Sequence, residues 1–242
     1  METKRSKFIK DGFIKIEHLI TQEEVDSLRT IYDGLLGDKV KTAHLRSDLA
    51  GADNSTNSRV ERITQIMRPS TIAHELINNS AYKKAEQWAK DLLGEDMELD
   101  FDMMINKAPY TNTPTPWHQD AAYWIAMPDK RSASCWIALD KVFVENGCMW
   151  FIPKTEDNAI LPHKNLPNGG ALYCEIDSSK ALSMPLNPGG CTFHDGFTLH
   201  FSRGNTTETH RRALILNFRP KKMIDYEREQ GVDHTGERKQ RN

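Results

Sequence analysis

From Met97 onward the chain is a series of short apolar runs cut apart by Gly, Pro and Asn, and this punctuation limits the fold more than any other feature. Met97, Leu99, Phe101, Met103 and Ile105 alternate with Glu98, Asp100, Asp102, Met104 and Asn106. Period-two alternation predicts a strand with one face on a core and the other towards water. Further strands are expected over 134–142, 148–152, 171–176, 190–194 and 211–219, with turn residues between them. Many short strands following a helical first part suit an antiparallel β-sandwich or jelly roll with helices packed outside.

The first part carries helix signals. Gly12-Phe13-Ile14-Lys15-Ile16 reads as a short strand. Thr21-Gln22-Glu23-Glu24 has the form of a capping box, Val25, Leu28, Ile31 and Leu35 follow at helical spacing, and Gly37 is a stop. Residues 38–58 are polar and long for a connection, which suggests either a lid over a pocket or a solvated excursion. Ser80 is placed to cap a second helix that buries Ala81, Ala85, Trp88, Ala89 and Leu92 and ends at Gly94. The 242 residues are enough for one large domain. We expect a helical part over about 1–95, a β core over about 97–219, and a polar tail over 220–242 that is an exposed helix or disordered.

A net charge of −2 gives no electrostatic case for nucleic acid or an anionic membrane. No apolar run approaches a membrane span, no signal core follows the polar N-terminus, and the last residues are not a peroxisomal address. A soluble cytoplasmic protein is the simplest expectation. Cys135, Cys148, Cys174 and Cys191 form no Cys-x-x-Cys pair, so buried free thiols are expected rather than a zinc site.

The chemistry centres on Trp117-His118-Gln119-Asp120. On a strand, alternate side chains share a face, so His118 and Asp120 can address one ion. Two imidazoles and one carboxylate make the facial triad of non-haem iron(II) enzymes, which leaves positions open for co-substrate and oxygen. His200 is the choice for the second imidazole, and His194 is its rival or a residue standing behind the ligands. Arg211 follows His200 by eleven positions and opens what reads as a buried strand. A buried cation needs a partner, and a dicarboxylate co-substrate would supply one through two parallel hydrogen bonds. Arg212 replaces it if the register slips by one. Tyr123 and Trp124 face either a substrate or the core. The other histidines, among them His44, His163 and His234, read as surface or hydrogen-bonded residues.

These stretches resemble the phytanoyl-CoA dioxygenase family. The likeness runs from about 97 to 219, with an echo in Asp11-Gly12-Phe13. It rests on 103–109, on Trp117-His118-Gln119-Asp120, on Cys135-Trp136-Ile137-Ala138-Leu139, on Glu145-Asn146-Gly147-Cys148 running to Pro153, and on His200-x-Ser202 with Arg211 beyond. The resemblance implies a double-stranded β-helix and an iron(II)- and 2-oxoglutarate-dependent oxygenase using O2. It assigns iron to His118, Asp120 and His200 and the distal carboxylate of 2-oxoglutarate to Arg211. It sets Met103, Trp136 and Ser202 beside that co-substrate, and Arg62 matches a basic position that helps hold it. With a carboxylate ligand at Asp120, halogenation is not expected.

Lys154-Thr155-Glu156 stands where the family often has Gly-Ser/Thr-His, and the chain is shorter than the peroxisomal members. Both points lead away from phytanoyl-CoA itself and towards a free small molecule of specialised metabolism, hydroxylated, desaturated or closed into a ring. An acyl-CoA or lipid hydroxylase is the second reading; it would need a basic patch at the pocket mouth for the CoA phosphates. A jelly-roll metal- or sugar-binding protein is the third, and it has no use for the Arg211 clamp.

Overall fold

The computed structural model describes residues 3–37, 41–42, 44–51, 61–154, 159–167, 170–235 and 241. In chain order the first elements are α1 (Lys4–Asp11), β1 (Phe13–Ile16), α2 (Gln22–Leu36), β2 (Arg46–Asp48), β3 (Ile63–Met67) and α3 (Ser80–Leu93). Then follow β4 (Met97–Lys107), β5 (Thr115–His118), β6 (Ala133–Ala138), β7 (Met149–Phe151), β8 (Lys164–Asn165) and β9 (Leu172–Tyr173). The chain continues through β10 (Leu182–Met184), β11 (Cys191–His194), β12 (His200–Ser202), β13 (Arg211–Pro220) and α4 (Lys221–Glu229).

A seven-stranded sheet in the order β1-β11-β6-β13-β4-β3-β2 faces a four-stranded sheet in the order β10-β7-β12-β5. Every named pairing is antiparallel. This is the expected jelly roll with helices outside. Period-two side-chain alternation splits the large sheet into two faces. Cys135, Ile137, Cys191, Phe193, Leu214, Leu216 and Met104 pack outward with Phe8, Val25, Leu28, Leu35, Ala85, Ala89 and Leu92 of the helices. Each fully buried Val, Leu, Ile, Phe or Met side chain among them contributes about 1.5–3 kcal/mol. Trp136, Ala213, Ile215, Met103 and Ile105 turn inward and pack with Met149, Phe151 and Met184 of the smaller sheet.

The Thr21–Glu24 capping box is present and Gly37 ends α2. The second helix is capped by Asn79, whose side chain accepts from the Ala81 N–H, and not by Ser80, which is the first helical residue. α1 was not expected; its run is short, with five of its eight residues charged, and Thr3 caps it while Gly12, at φ 84°, ends it. The helical first part also supplies β1, β2 and β3 to the large sheet. The expected strand over 171–176 shrinks to Leu172–Tyr173, and that over 134–142 ends at Ala138, leaving Val142 in a single bridge to Leu186.

One further expectation fails and one is met in part. β4 is not half-exposed; the tail takes the helical of its two readings, as α4, with Ile224 and Glu227 buried and most other positions exposed. Asp100 and Asp102 sit on the predicted solvent face yet are 5% and 2% exposed. Asp102 accepts from Tyr82 Oη at 2.6 Å and from the backbone N–H and Oγ of Ser70. Asp100 is bound by Arg219 and Arg228, and α4 closes over it with Ile224 and Glu227 buried. Lys221 and Lys222 are the exposed first residues of α4. All four cysteines are free and buried. No helix among the described residues is long and apolar enough to cross a membrane.

Candidate metal centre

β5 and β12 are paired so that His118 and His200 are direct cross-strand partners. Side chains opposite each other on one face of an antiparallel pair must meet, and these two rings lie 4.1 Å apart, centroid to centroid. Asp120 is not on the strand, as its alternation with His118 suggested; it opens a 3-10 turn, Asp120–Tyr123. Gln119 before it remains extended, at φ −122° and ψ 130°, so the two-residue repeat still carries the carboxylate to the same side. Oδ1 of Asp120 lies 3.7 Å from His118 Nε2 and 3.5 Å from His200 Nε2. The candidate ligand atoms of the three residues all fall within 4.8 Å of one another.

Backbone carbonyls set the tautomers. Nδ1–H of His118 donates to Pro116 O at 2.8 Å and Nδ1–H of His200 to Thr198 O at 2.9 Å. Each Nε2 lone pair is thereby left for a metal. Gln119 points the other way and rivets the motif from behind, donating to Ala159 O and Phe197 O and accepting from Leu161 N. The Gln119 N–H donates to His163 Nε2 at 3.0 Å, so His163 is a support and not a ligand.

Burial drives His118 down to about 3, so it is neutral at physiological pH. Burial alone would raise Asp120, but the charge of His200 and the bonds from His194 and His200 hold it well below the usual carboxylate range. His200 is pushed down by burial and raised above its ordinary value by Asp120. A neutral imidazole, an ionised carboxylate and a second imidazole facing that carboxylate suit a divalent cation.

A cavity of about 500 Å³ runs from this cluster between the sheets. Ser202, Trp136, Met103 and Arg211 line it, as do Tyr123, Trp124 and His194. Arg211 is 1% exposed, its Cζ stands 5.1 Å over the Trp136 ring, and its Nε and Nη1 have no hydrogen-bond partner among the described residues. Burial lowers its guanidinium to about 10. Arg212 faces the other way and is held by Asp140 and Asp33, so the register places Arg211 inside. An unpaired buried guanidinium and a triad of ligand-type atoms lining the same cavity fit a keto acid that chelates a metal and anchors its far carboxylate.

The remaining expected residues fall as follows. Tyr123 Oη accepts from Leu172 N at 2.7 Å, and Trp124 is stacked by the Arg219 guanidinium at 5.0 Å. His194 Nε2 lies 3.3 Å from Asp120 Oδ2. Arg62 departs from the expectation and does not line the cavity: it donates to Ala50 O and Gly51 O and pairs with Asp48. Its guanidinium is spoken for locally. Of the expected lid over 38–58, residues 38–40, 43 and 52–58 lie outside the described residues, while His44, Leu45, Arg46, Ser47 and Leu49 line the cavity. Thr155 and Glu156 also lie outside the described residues.

Ser134, Asn217 and Gln65 were missed. Ser134 donates to Asp120 Oδ2 at 3.0 Å, Asn217 donates to Ser134, and Gln65 donates to Met103 Sδ. The signal was available: Ser134 shares a strand face with Trp136, and Asn217 with Arg211, so each is a polar residue at an inward position. A second cluster of ligand-type atoms, Asp100, Glu227 and His234, is filled by the Arg219 guanidinium, which donates to both carboxylates. It is an ion cluster and not a metal seat.

Comparison with known proteins agrees with this geometry. The family model described as "Phytanoyl-CoA dioxygenase (PhyH)" matches residues 8–213. A "Probable phytanoyl-CoA dioxygenase" of Caenorhabditis elegans is 25% identical over 94% of this chain and 78% of its own length. A "Probable alpha-ketoglutarate-dependent hypophosphite dioxygenase" of Stutzerimonas stutzeri is 24% identical over 88% of this chain and 76% of its own. Among solved structures, EvdO2 from Micromonospora carbonacea var. aurantiaca, complexed with 2-oxoglutarate, superposes with a TM-score of 0.72. It is 28% identical, and the match covers 90% of this chain and 93% of that one.

Proposed function

The chain belongs to the phytanoyl-CoA dioxygenase family and is an iron- and 2-oxoglutarate-dependent dioxygenase, and from that premise we propose that it oxidises an unactivated C–H bond of a free small molecule in specialised metabolism. His118, Asp120 and His200 hold the iron in this reading, and Arg211 takes the distal carboxylate of 2-oxoglutarate. Ser202, Met103 and Trp136 flank it. Tyr123 and Trp124 face the substrate.

The observation that carries the co-substrate assignment is Arg211. A buried guanidinium with no hydrogen-bond partner at Nε or Nη1 among the described residues, lining the same cavity as a His-Asp-His cluster, has a use only when an anion arrives. Bound there, iron and 2-oxoglutarate with O2 supply the oxidising power for C–H oxidation, releasing succinate and carbon dioxide. The chain's own part is positional. Arg211 fixes one end of the keto acid, the β5–β12 pair fixes the two imidazoles, and the inward apolar side chains exclude water from the space between. Hydroxylation is the simplest outcome, and desaturation or ring closure draws on the same oxidising power.

The cavity's size favours a free small molecule, since volumes of roughly 300–1,000 Å³ suit ligands of drug-like size. Phe101, Tyr123 and Trp124 give it an aromatic wall. The acyl-CoA reading, suggested by the names of the relatives, calls for free cations at the mouth. No lysine lines the cavity among the described residues; Arg46 is engaged by Glu61, and Arg241 donates to Tyr123 O.

The test is an oxygen-free titration with iron(II) and 2-oxoglutarate. A metal-to-ligand charge-transfer band is expected, absent in Asp120→Ala, followed by succinate release in air. Folded protein with neither signal returns the chain to a binding role. A panel of free small molecules against acyl-CoA thioesters, scored by stimulated succinate release, then decides the substrate class.

A further inference from the structure

The two oxygens of Asp120 have different surroundings. Oδ1 faces the imidazoles, 3.7 Å from His118 Nε2 and 3.5 Å from His200 Nε2. Oδ2 faces away from that pair and accepts from Ser134 Oγ at 3.0 Å and His194 Nε2 at 3.3 Å. The Ser134 oxygen accepts Asn217 Nδ2–H at 2.7 Å. A hydroxyl has one proton, and with the amide donating to its oxygen that proton is free for Asp120.

The three donors form one row. His194 on β11 is the register partner of Ser134 on β6, and Ser134 is the register partner of Asn217 on β13. All three are 2% exposed or less. His194 Nδ1 and Asn217 Oδ1 have no partner among the described residues, so the row is polar at a cost to the core and is not satisfied in itself. Leucine or methionine would suit this apolar neighbourhood of Phe151 and Ile215 better if stability were the only demand.

We propose that His194, Ser134 and Asn217 are positioning residues that hold Oδ2 off the metal, making Asp120 a ligand through Oδ1 alone and leaving coordination positions for the keto acid and oxygen. The inference rests on the assignment of the metal to His118, Asp120 and His200. A carboxylate can bind through one oxygen or both. Two donors on the outer oxygen, aimed from neighbouring strands of a rigid sheet, select the first mode.

The experiment titrates the full-length protein with cobalt(II), which avoids oxygen turnover, and then with 2-oxoglutarate. Ser134→Ala and His194→Leu are expected to weaken cobalt binding about 10–100-fold and to change the energy and intensity of the cobalt d–d bands. His194→Gln and Ser134→Thr, which keep a donor, are expected to restore the wild-type spectrum. Asn217→Asp is nearly isosteric but accepts the Ser134 proton, and is expected to resemble Ser134→Ala. Circular dichroism melts establish which variants are folded; Ser134→Ala removes one oxygen atom and keeps the test open should His194→Leu fail. Folded Ser134→Ala with the wild-type cobalt constant and spectrum overturns the proposal. A wild-type protein that binds no cobalt overturns the metal assignment beneath it.

Discussion

The Cζ atom of Arg211 stands 5.1 Å over the ring of Trp136, and neither its Nε nor its Nη1 has a hydrogen-bond partner among the described residues. A cation stacked on an indole but otherwise unpaired is costly to bury. Arg211→Met is therefore expected to melt at a higher temperature than wild type without co-substrate. It should lose more than about 100-fold in 2-oxoglutarate affinity, the scale of a lost bidentate charge-assisted contact. Thermal melts and the charge-transfer titration read the two effects separately. A variant less stable than wild type that still binds 2-oxoglutarate would assign the anchor elsewhere.

Arg212 provides the contrast. Its guanidinium is bonded to Asp140 and Asp33 on the outer face, and its side chain is 17% exposed. Arg212→Ala is expected to cost about 1 kcal/mol of stability and to leave the 2-oxoglutarate constant alone. Denaturant melts and the same titration check it. A loss of co-substrate binding in this variant would mean that the register is shifted by one residue.

The opposite fates of these adjacent arginines follow from strand periodicity, which is why the inner wall of the site was legible in the sequence. His118 and His200 were legible too, although what joins them is a cross-strand register that spacing alone does not state. The buried acids were not. Asp100 and Asp102 occupy the face that alternation assigns to water, and the groups that keep them ionised or hydrogen-bonded come from Arg219, Arg228, Tyr82 and Ser70, distant in the chain. Periodicity reports the face a side chain takes, and gives no information on what later packs against it. Arg62 was misplaced because a motif match ignores a nearby Asp48 that can take the same guanidinium.

The ion cluster under α4 gives a pH prediction. Burial would raise the Asp100 carboxyl, but the His234 hydrogen bond and the charges of Arg219 and Arg228 hold it below its ordinary value. Glu227 is lowered in the same way, against burial, by His234 and Arg219. A depressed folded-state pKa gives stability that is present above the unfolded value, about 3.9 for Asp and 4.3 for Glu, and is lost as pH falls towards the folded one. The melting temperature should thus hold down to about pH 4.5 and drop below it. Glu227→Ala, which leaves Arg219 short of a partner, should cost about 3–5 kcal/mol at neutral pH and flatten the acid limb. Melts of both proteins from pH 7 to pH 3 test this; parallel curves would show that the cluster does not hold α4.

The last prediction concerns Gly196, which lies between His194 and His200 and bears on the aromatic wall. A Cβ there would stand 2.3 Å from Cη2 and Cζ3 of Trp124, far inside contact distance. Gly196 is held on both sides, its N–H donating to Ser132 Oγ at 2.9 Å and its carbonyl accepting from Ala121 N at 2.8 Å. The backbone has little room to yield, so the indole must move, and it is the indole that lines the cavity beside Tyr123. Gly196→Ala is expected to cost about 1–3 kcal/mol through overpacking. Arg211 and Trp136 lie on other strands, so the 2-oxoglutarate band should persist while substrate-stimulated succinate release falls. Trp124→Leu in the same chain should recover most of the lost stability, because the two changes share one space and are not additive. Equal stability losses for Gly196→Ala in the presence and absence of the Trp124 indole would separate the glycine from the cavity wall.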